Sequence, residues 1–202
     1  MFDARLRRII DPPLNAVGIR LARSGVGANS VTIAGFVSGL AAAVSIATGY
    51  WFAALPLIGL NRLADGLDGA VARATQKTDL GGYLDIVLDF FFYGAVPFAF
   101  AVHNPLTNAY AAAALLLAFY MNGATFLGFA IMAEKRGMST DIQGAKSLYY
   151  FGGLAEGAET IAVFTAMCLF PDWFPVIAWG FAGICVISAL SRLILVSQML
   201  RG

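Results

Sequence analysis

The sequence predicts an all-α, polytopic membrane protein with six transmembrane helices and an N-terminal amphipathic helix at the membrane interface. Hydrophobic residues make up 59% of the 202 residues and charged residues only 12%, whereas soluble domains carry about 25% charged residues. The mean hydropathy is +0.76. Apolar segments of about 20 residues, the length that crosses a bilayer, recur along the chain. We expect one domain over residues 1–202, surrounded by membrane lipids and without a nucleic-acid partner.

The N-terminal segment, residues 1–23, precedes the first apolar segment and mixes arginines with apolar residues. This pattern favours an amphipathic helix that lies on the inner leaflet and is broken or kinked at Pro12 and Pro13. The alternative is an ordinary positively charged flank that only sets topology. The arginines of this segment are Arg5, Arg7, Arg8, Arg20 and Arg23.

Six apolar segments within residues 31–199 come near the length of a membrane span. We predict spans over residues 31–49, 51–72, 81–102, 108–133, 149–170 and 174–199. Lysine and arginine in the connections fall only before the first span, after the second, after the fourth and after the sixth. The positive-inside rule therefore predicts a multi-pass protein of the cytoplasmic (inner) membrane with both termini in the cytoplasm.

Four aspartates lie inside predicted spans, where charged side chains are costly and rarely face lipid. Asp65 and Asp68 are near the cytoplasmic end of the second span, and Asp85 and Asp89 are near the start of the third. Residues three or four apart share one face of a helix. Because a short turn joins these antiparallel helices, the four carboxylates are predicted to converge at one depth.

These carboxylates predict a divalent metal site. Arg62, Arg73 and Lys77 are too few to neutralise them, and clustered oxygens suit Mg²⁺, Mn²⁺ or Ca²⁺. Neither Cys nor His is close in sequence, which argues against zinc. Small residues beside the aspartates, which let a ligand approach the backbone, indicate a pocket; they are Gly66, Gly69, Ala70, Ala72, Ala74, Gly81 and Gly82.

The stretch from Asp65 to Asp89, DGLDGAVARATQKTDLGGYLDIVLD, resembles the signature of the CDP-alcohol phosphotransferase (CDP-alcohol phosphatidyltransferase) family. That signature reads D-x2-D-G-x2-A-R, a spacer, then G-x3-D-x3-D. The spacer here is one residue shorter than the family usually has, and we expect this to alter the turn while leaving the carboxylates in place. The segment ANSVT, residues 28–32, is similar to the family's P-N-x-[LV]-T with Ala28 in place of Pro.

The resemblance implies an enzyme that transfers a substituted phosphate from a CDP-linked donor, usually CDP-diacylglycerol, to an alcohol and releases CMP. It implies six membrane helices, usually in a homodimer, and a cavity open to the cytoplasm. Two ions, Mg²⁺ or Mn²⁺, would be held by Asp65, Asp68, Asp85 and Asp89, and Asp89 would also act as the general base. The residues expected to contact the CDP part are Asp68, Gly69, Ala72, Arg73 and Gly81.

The acceptor site is not fixed by the sequence. Glu156 and Glu159 in the fifth span either pair with Arg192, at similar depth in the sixth, or hold the hydroxyls or amine of the acceptor. Lys146 is either a topology signal or a phosphate contact. His103, at the far end of the third span, is distant from the aspartates, and no Ser–His or Cys–His pair suggests a covalent route. We therefore expect direct in-line attack.

The expected function is phosphatidyl transfer from CDP-diacylglycerol to an alcohol in phospholipid biosynthesis. One alternative is transfer from a soluble CDP-alcohol to a lipid acceptor. Another is a metal or proton transporter that uses the aspartates, which predicts carboxylates across the whole membrane depth rather than near one face. A membrane scaffold without activity would leave the aspartate pattern unexplained.

Overall fold

A computed structural model shows an all-helical chain, which confirms the predicted fold class. It describes residues 2–137 and 157–201, with side chains from residue 10 onward, and no strand occurs in these ranges. A short 3₁₀ turn, Pro171–Trp173, leads into the last helix. The helices are α1 (Phe2–Arg23), α2 (Ala28–Ala47), α3 (Trp51–Ala74), α4 (Asp79–His103), α5 (Pro105–Lys135), α6 (Gly157–Leu169) and α7 (Phe174–Arg201).

Four helical segments of the described residues are long and apolar enough to cross a membrane. They are Ala28–Ala47, Asp79–His103, Pro105–Lys135 and Pro171–Arg201. Helix α3 has 24 residues, but its polar side chains lower its hydropathy, and α6 is described over 13 residues. The chain is thus an integral membrane protein, and the count of six spans stays a prediction. The observed bounds of α2 to α5 and of α7 agree with the predicted spans to within one helical turn.

Helix α1 runs without interruption through Pro12 and Pro13, so the break predicted there is wrong. Both prolines are exposed, so their rings lie outside the packed interior, and each removes one helical hydrogen bond because it lacks an N–H. Helix α1 also packs closely against α3, because a Cβ added to Gly18 would lie only 2.6 Å from the Cβ of Ala70. This contact helps to fix the direction of α1. A kink and an interfacial orientation of α1 stay predictions.

Helix α2 packs closely against both α3 and α4. A Cβ added to Gly35 would lie 2.6 Å from the Cβ of Ala64, and one added to Gly39 would lie 2.7 Å from the Phe92 ring. Such small residues let helices approach in a membrane. The buried Asn61 amide donates to the Gly35 carbonyl at 2.9 Å, which satisfies a polar group at this contact. The approach brings α2, α3 and α4 together around the aspartates.

The hydrophobic core lies beyond the aspartates, toward the C-terminal half of α4. Phe92 and Phe100 are fully buried, and Phe100 stacks on Phe174 with ring centroids 4.4 Å apart. His103 ends α4 with its ring centroid 4.2 Å from that of Trp51, away from the aspartates. Because these aromatic contacts hold α4 against α3 and α7, they also fix the first turns of α4, where two of the aspartates lie.

Candidate active site

All four aspartates of the sequence motif line one cleft among α2, α3 and α4. Helix α2 lines it with residues of its first half, and α3 and α4 each contribute two carboxylates. The helical period and the short turn between α3 and α4 together bring these side chains to the same depth. The lining residues are Thr32, Gly35, Phe36, Asn61, Arg62, Asp65, Asp68, Asp85, Leu88 and Asp89.

The two sequence motifs meet at Asp68. The Thr32 hydroxyl donates to Oδ2 of Asp68 at 2.7 Å, and Asp68 is buried, with 6% of its surface exposed. A hydrogen bond to a buried carboxylate offsets part of the cost of removing it from water. Thr32 thus ties the start of α2 to the second motif aspartate.

The turn between α3 and α4, residues 75–78, has no regular secondary structure and leads into a capped helix. Thr78 caps α4, and its hydroxyl accepts from the Gly81 N–H at 3.1 Å, a common way to satisfy an N-terminal amide. A Cβ on Gly81 would lie 3.0 Å from Oδ1 of Asn29, so glycine keeps α2 and α4 close here. The four aspartates still share one cleft, as expected for a change confined to the turn.

Arg62 brings a positive charge into the cleft. Its Nη2 donates to Oδ1 of Asp89 at 2.5 Å, and its Nη1 lies 3.8 Å from Oδ1 of Asp65. The side chains of Arg62 and Asp89 are 20% and 24% exposed, so water screens this pair only in part. One guanidinium therefore hydrogen-bonds Asp89 and lies within ion-pair distance of Asp65.

The sequence revealed Arg62 only as a nearby charge and gave no role to its partners Asn61 and Tyr93. One signal was available, because Arg62 precedes Asp65 by three residues and Tyr93 follows Asp89 by four. Both spacings place side chains on one helix face. The pairing across α3 and α4 became visible only in the fold.

The cleft fits a divalent cation in charge and in donor chemistry. Four carboxylates offer hard oxygen ligands, and one guanidinium leaves them mostly uncompensated. Within the described ranges, however, no three side chains among His, Cys, Asp and Glu are gathered closely enough to hold a metal ion together. The carboxylates are ligands of the kind that Mg²⁺ and Mn²⁺ prefer. Two of them, Asp65 and Asp89, already contact Arg62.

Four predicted substrate contacts lie outside the wall of this cleft. Arg73 donates from Nη2 to Oδ1 of Asn15 on α1 at 2.9 Å, and a Cβ on Gly69 would lie 3.3 Å from Nη1 of Arg73. Ala72 and Gly81 lie, like Gly69 and Arg73, near the turn between α3 and α4. The structure thus separates an acidic cleft from an outer region, where α1 contacts Arg73.

The candidate acceptor residues are only partly described. Glu156 and Lys146 lie outside the described residues. Nη1 of Arg192 donates to the carbonyl and the Oδ1 of Asn122, both at 3.0 Å, and to Thr125. Between the described residues Arg192 and Glu159 there is no ion pair, and Oε2 of Glu159 is buried without a hydrogen-bond partner in the described part of the chain. The pairing of Arg192 with Glu156 stays a prediction.

Fold and cleft together define a class of integral membrane protein with an acidic site built by two consecutive helices. The sequence model of one family, CDP-alcohol phosphatidyltransferase, matches residues 26–196. The chain belongs to this family, which confirms the resemblance seen in the aspartate motif. Membership places it in an enzyme class of transferases that work in phospholipid biosynthesis.

The chain is also similar to proteins of known name or structure. The chain is 45% identical over 192 residues to Inner membrane protein YnjF of Escherichia coli K12, which covers 95% of this chain and 93% of that one. It is 27% identical over 168 residues to archaetidylinositol phosphate synthase of Pyrococcus horikoshii, covering 83% and 82%. The crystal structure of Mycobacterium tuberculosis phosphatidylinositol phosphate synthase (PgsA1) with CDP-DAG bound matches with a TM-score of 0.71 and 26% identity, covering 91% and 92%.

Proposed function

We propose that this protein transfers a phosphatidyl group from CDP-diacylglycerol to an alcohol acceptor and releases CMP. The observation that carries the proposal is the single cleft lined by all four motif aspartates. The similarity to PgsA1, whose structure holds CDP-DAG, supports that donor. A transporter would need carboxylates spread along a path across the membrane, whereas these four share one cleft.

In this proposal two divalent ions, Mg²⁺ or Mn²⁺, would be held by Asp65, Asp68, Asp85 and Asp89. When bound, such ions neutralise charge on the pyrophosphate and on the departing CMP. Asp89 takes the proton from the acceptor hydroxyl. The alcohol oxygen then attacks the phosphorus that carries diacylglycerol, and the bond from that phosphorus to the oxygen of CMP breaks.

The outer residues would hold the nucleotide part of the donor. Arg73 offers a cation to the phosphate that leaves, and Asp68 and the backbone near Gly69, Ala72 and Gly81 would line the CDP moiety. Thr32 keeps the Asp68 carboxylate in place through its hydrogen bond. The direct attack needs no covalent intermediate on the chain.

We further infer that residues 1–202 form one domain, with residues 1–23 as a juxtamembrane helix and residues 31–199 as a six-helix bundle. The distribution of lysine and arginine supports a site and termini on the cytoplasmic side of the inner membrane. A homodimer is expected from the family. The N-terminal helix is long enough to lie on the membrane surface beside α3.

The test is a measurement of CMP release by the purified protein in detergent or nanodiscs. CDP-diacylglycerol with Mg²⁺ or Mn²⁺ is offered with a panel of acceptors: glycerol phosphate, inositol phosphate, serine and a second lipid. We expect CMP and a new phospholipid with one acceptor. Asp89→Asn should abolish turnover while largely sparing donor binding, whereas Asp172→Asn, a carboxylate in the exposed 3₁₀ turn, serves as the control with unchanged turnover.

Three results would contradict all or part of this proposal. CMP release from a soluble CDP-alcohol but not from CDP-diacylglycerol would establish the alternative donor. If thermal unfolding shows that the protein is folded but it releases no CMP from either donor, the protein does not catalyse this transfer. Near-normal turnover of Asp89→Asn would assign the general base to another group.

A further inference from the structure

The acidic cleft contains a cation that belongs to the protein itself. Arg62 contacts Asp89 at 2.5 Å and Asp65 at 3.8 Å, and both carboxylates line the same cleft as Asp68 and Asp85. When all four aspartates are counted as ionised, the cleft contains four negative charges and the one positive charge of Arg62. The charge of the cleft is therefore reduced by Arg62 but stays negative.

Arg62 is held in place by several neighbours. Its Nε donates to Oδ1 of Asn61 at 2.9 Å, and its Nη1 donates to the Tyr93 hydroxyl at 3.2 Å. Its Cζ lies 4.9 Å from the ring centroid of Phe92, within the range of a cation–π contact. Asn61 is fixed in turn by its bond to the Gly35 carbonyl. A guanidinium anchored in this way is a fixed part of the cleft and not a mobile surface counterion.

We propose that Arg62 is a positioning residue of this cleft, a built-in cation that orients Asp89 and competes with a divalent ion for the carboxylates. The proposal rests on the proposed function, in which those carboxylates hold the ions. Two cations that share the same carboxylates repel each other, and each lowers the affinity for the other. Arg62 thus weakens ion binding in the resting protein while it keeps the Asp89 carboxylate aligned.

These two effects separate Arg62 from a residue that only stabilises the fold. Loss of its charge should tighten ion binding and at the same time slow turnover, because Asp89 loses its orienting partner. A residue that merely stabilises the bundle would, when removed, weaken ion binding or leave it unchanged. The sign of the change in ion affinity is therefore diagnostic.

The experiment measures Mn²⁺ binding to the purified protein without substrate, by the electron paramagnetic resonance signal of the free ion. We expect Arg62→Met to lower the apparent Kd for Mn²⁺ about tenfold and to reduce kcat with little change in KM for CDP-diacylglycerol. Arg62→Lys keeps the charge and should bind Mn²⁺ like the wild type. Arg192→Met removes an arginine from another part of the bundle and should also leave the Kd unchanged.

Thermal unfolding in the same detergent identifies folded variants. If Arg62→Met does not fold, Arg62→Gln replaces it, because glutamine loses the charge but keeps hydrogen-bonding atoms. An unchanged or higher Kd for Mn²⁺ in the folded neutral variant overturns the proposal, and so does an Arg62→Lys variant that binds Mn²⁺ as tightly as the neutral variant does. CMP release by the wild type is measured separately, so that failure of this proposal is distinguished from failure of the proposed reaction.

Discussion

The Thr32 hydroxyl lies 2.7 Å from Oδ2 of Asp68 and donates a hydrogen bond to it. The bond joins two segments of the family signature, one at the start of α2 and one on α3. Asp68 is buried, so few water molecules could replace this donor. Loss of a donor to a buried charged acceptor costs about 1–3 kcal/mol or more. Thr32 therefore supports the acidic cleft without being one of its carboxylates.

Thr32→Val should reduce CMP release at least about tenfold, because valine keeps the shape of threonine and removes the donor to Asp68. A loss of about 1.4 kcal/mol corresponds to a factor of ten. The measurement is turnover together with donor affinity. Thr165→Val is the matched control, since the Thr165 hydroxyl donates to the Ile161 carbonyl of its own helix α6. Wild-type turnover and affinity in Thr32→Val would show that Asp68 does not depend on this bond.

Removal of divalent ions should abolish transfer. Arg62 supplies one positive charge against four carboxylates, so the cleft needs further cations before a negatively charged pyrophosphate can enter. EDTA treatment is expected to stop CMP release, and added Mg²⁺ or Mn²⁺ should restore it. Thermal unfolding checks that the treated protein stays folded. Full activity in metal-free buffer would contradict the role given to the aspartates.

The convergence of the aspartates was predictable because it depends on local geometry. Spacings of three and four residues place Asp65 with Asp68 and Asp85 with Asp89, and a short turn brings the two helices together. The all-helical class followed in the same way from composition and the length of the apolar segments. These features need no knowledge of which side chains meet across the bundle.

The contacts of Arg62 and Arg73 could not be predicted in this way. Both depend on long side chains with many rotamers and on partners distant in sequence, Asp89 for Arg62 and Asn15 for Arg73. The same holds for the absence of an ion pair between Arg192 and Glu159, both described, although their matched depth suggested one. Spacing along a helix fixes a face, but only tertiary packing selects the partner on that face.

Asn15→Ala should raise KM for CDP-diacylglycerol about threefold to tenfold while kcat changes little. Its Oδ1 accepts from Arg73 at 2.9 Å, and Arg73 is the cation proposed to meet the donor phosphate. An exposed bond to a charged group contributes only about 1 kcal/mol, so a larger effect is not expected. Ser24→Ala is the control, because the Ser24 hydroxyl bonds to the Leu21 carbonyl at the end of the same helix. An unchanged KM would show that the contact between Asn15 on α1 and Arg73 does not contribute to donor binding.

Gly35→Ala should lower the unfolding temperature measured in detergent. The new Cβ would lie 2.6 Å from the Ala64 Cβ, so α2 and α3 would have to move apart, and overpacking of this kind costs about 1–3 kcal/mol. Gly59→Ala on α3 is the matched control, since no atom lies within 4 Å of its added Cβ. It should be neutral or stabilising. Equal unfolding temperatures for the two variants would mean that the contact between α2 and α3 is not tight.

Arg192→Met should also lower the unfolding temperature, because Arg192 joins α7 to α5. Its Nη1 donates to two oxygens of Asn122 and to Thr125, and its removal leaves acceptors on α5 without this donor. Glu159→Gln should be neutral or stabilising, since a buried carboxylate oxygen without a hydrogen bond from the described residues costs more than an amide. Both variants are compared by thermal unfolding in one detergent.

Double variants decide whether Glu156 is the ionic partner that the sequence suggested for Arg192. Breaking one side of a buried ion pair costs about 3–5 kcal/mol, whereas removing both sides is often nearly neutral. If the pair exists, Arg192→Met with Glu156→Gln should recover most of the stability lost in Arg192→Met, whereas Arg192→Met with Glu159→Gln should regain no more than Glu159→Gln gains alone. If Arg192→Met is instead as stable as the wild type but no longer uses one acceptor, then Arg192 belongs to the acceptor site and not to the packing of α5 against α7.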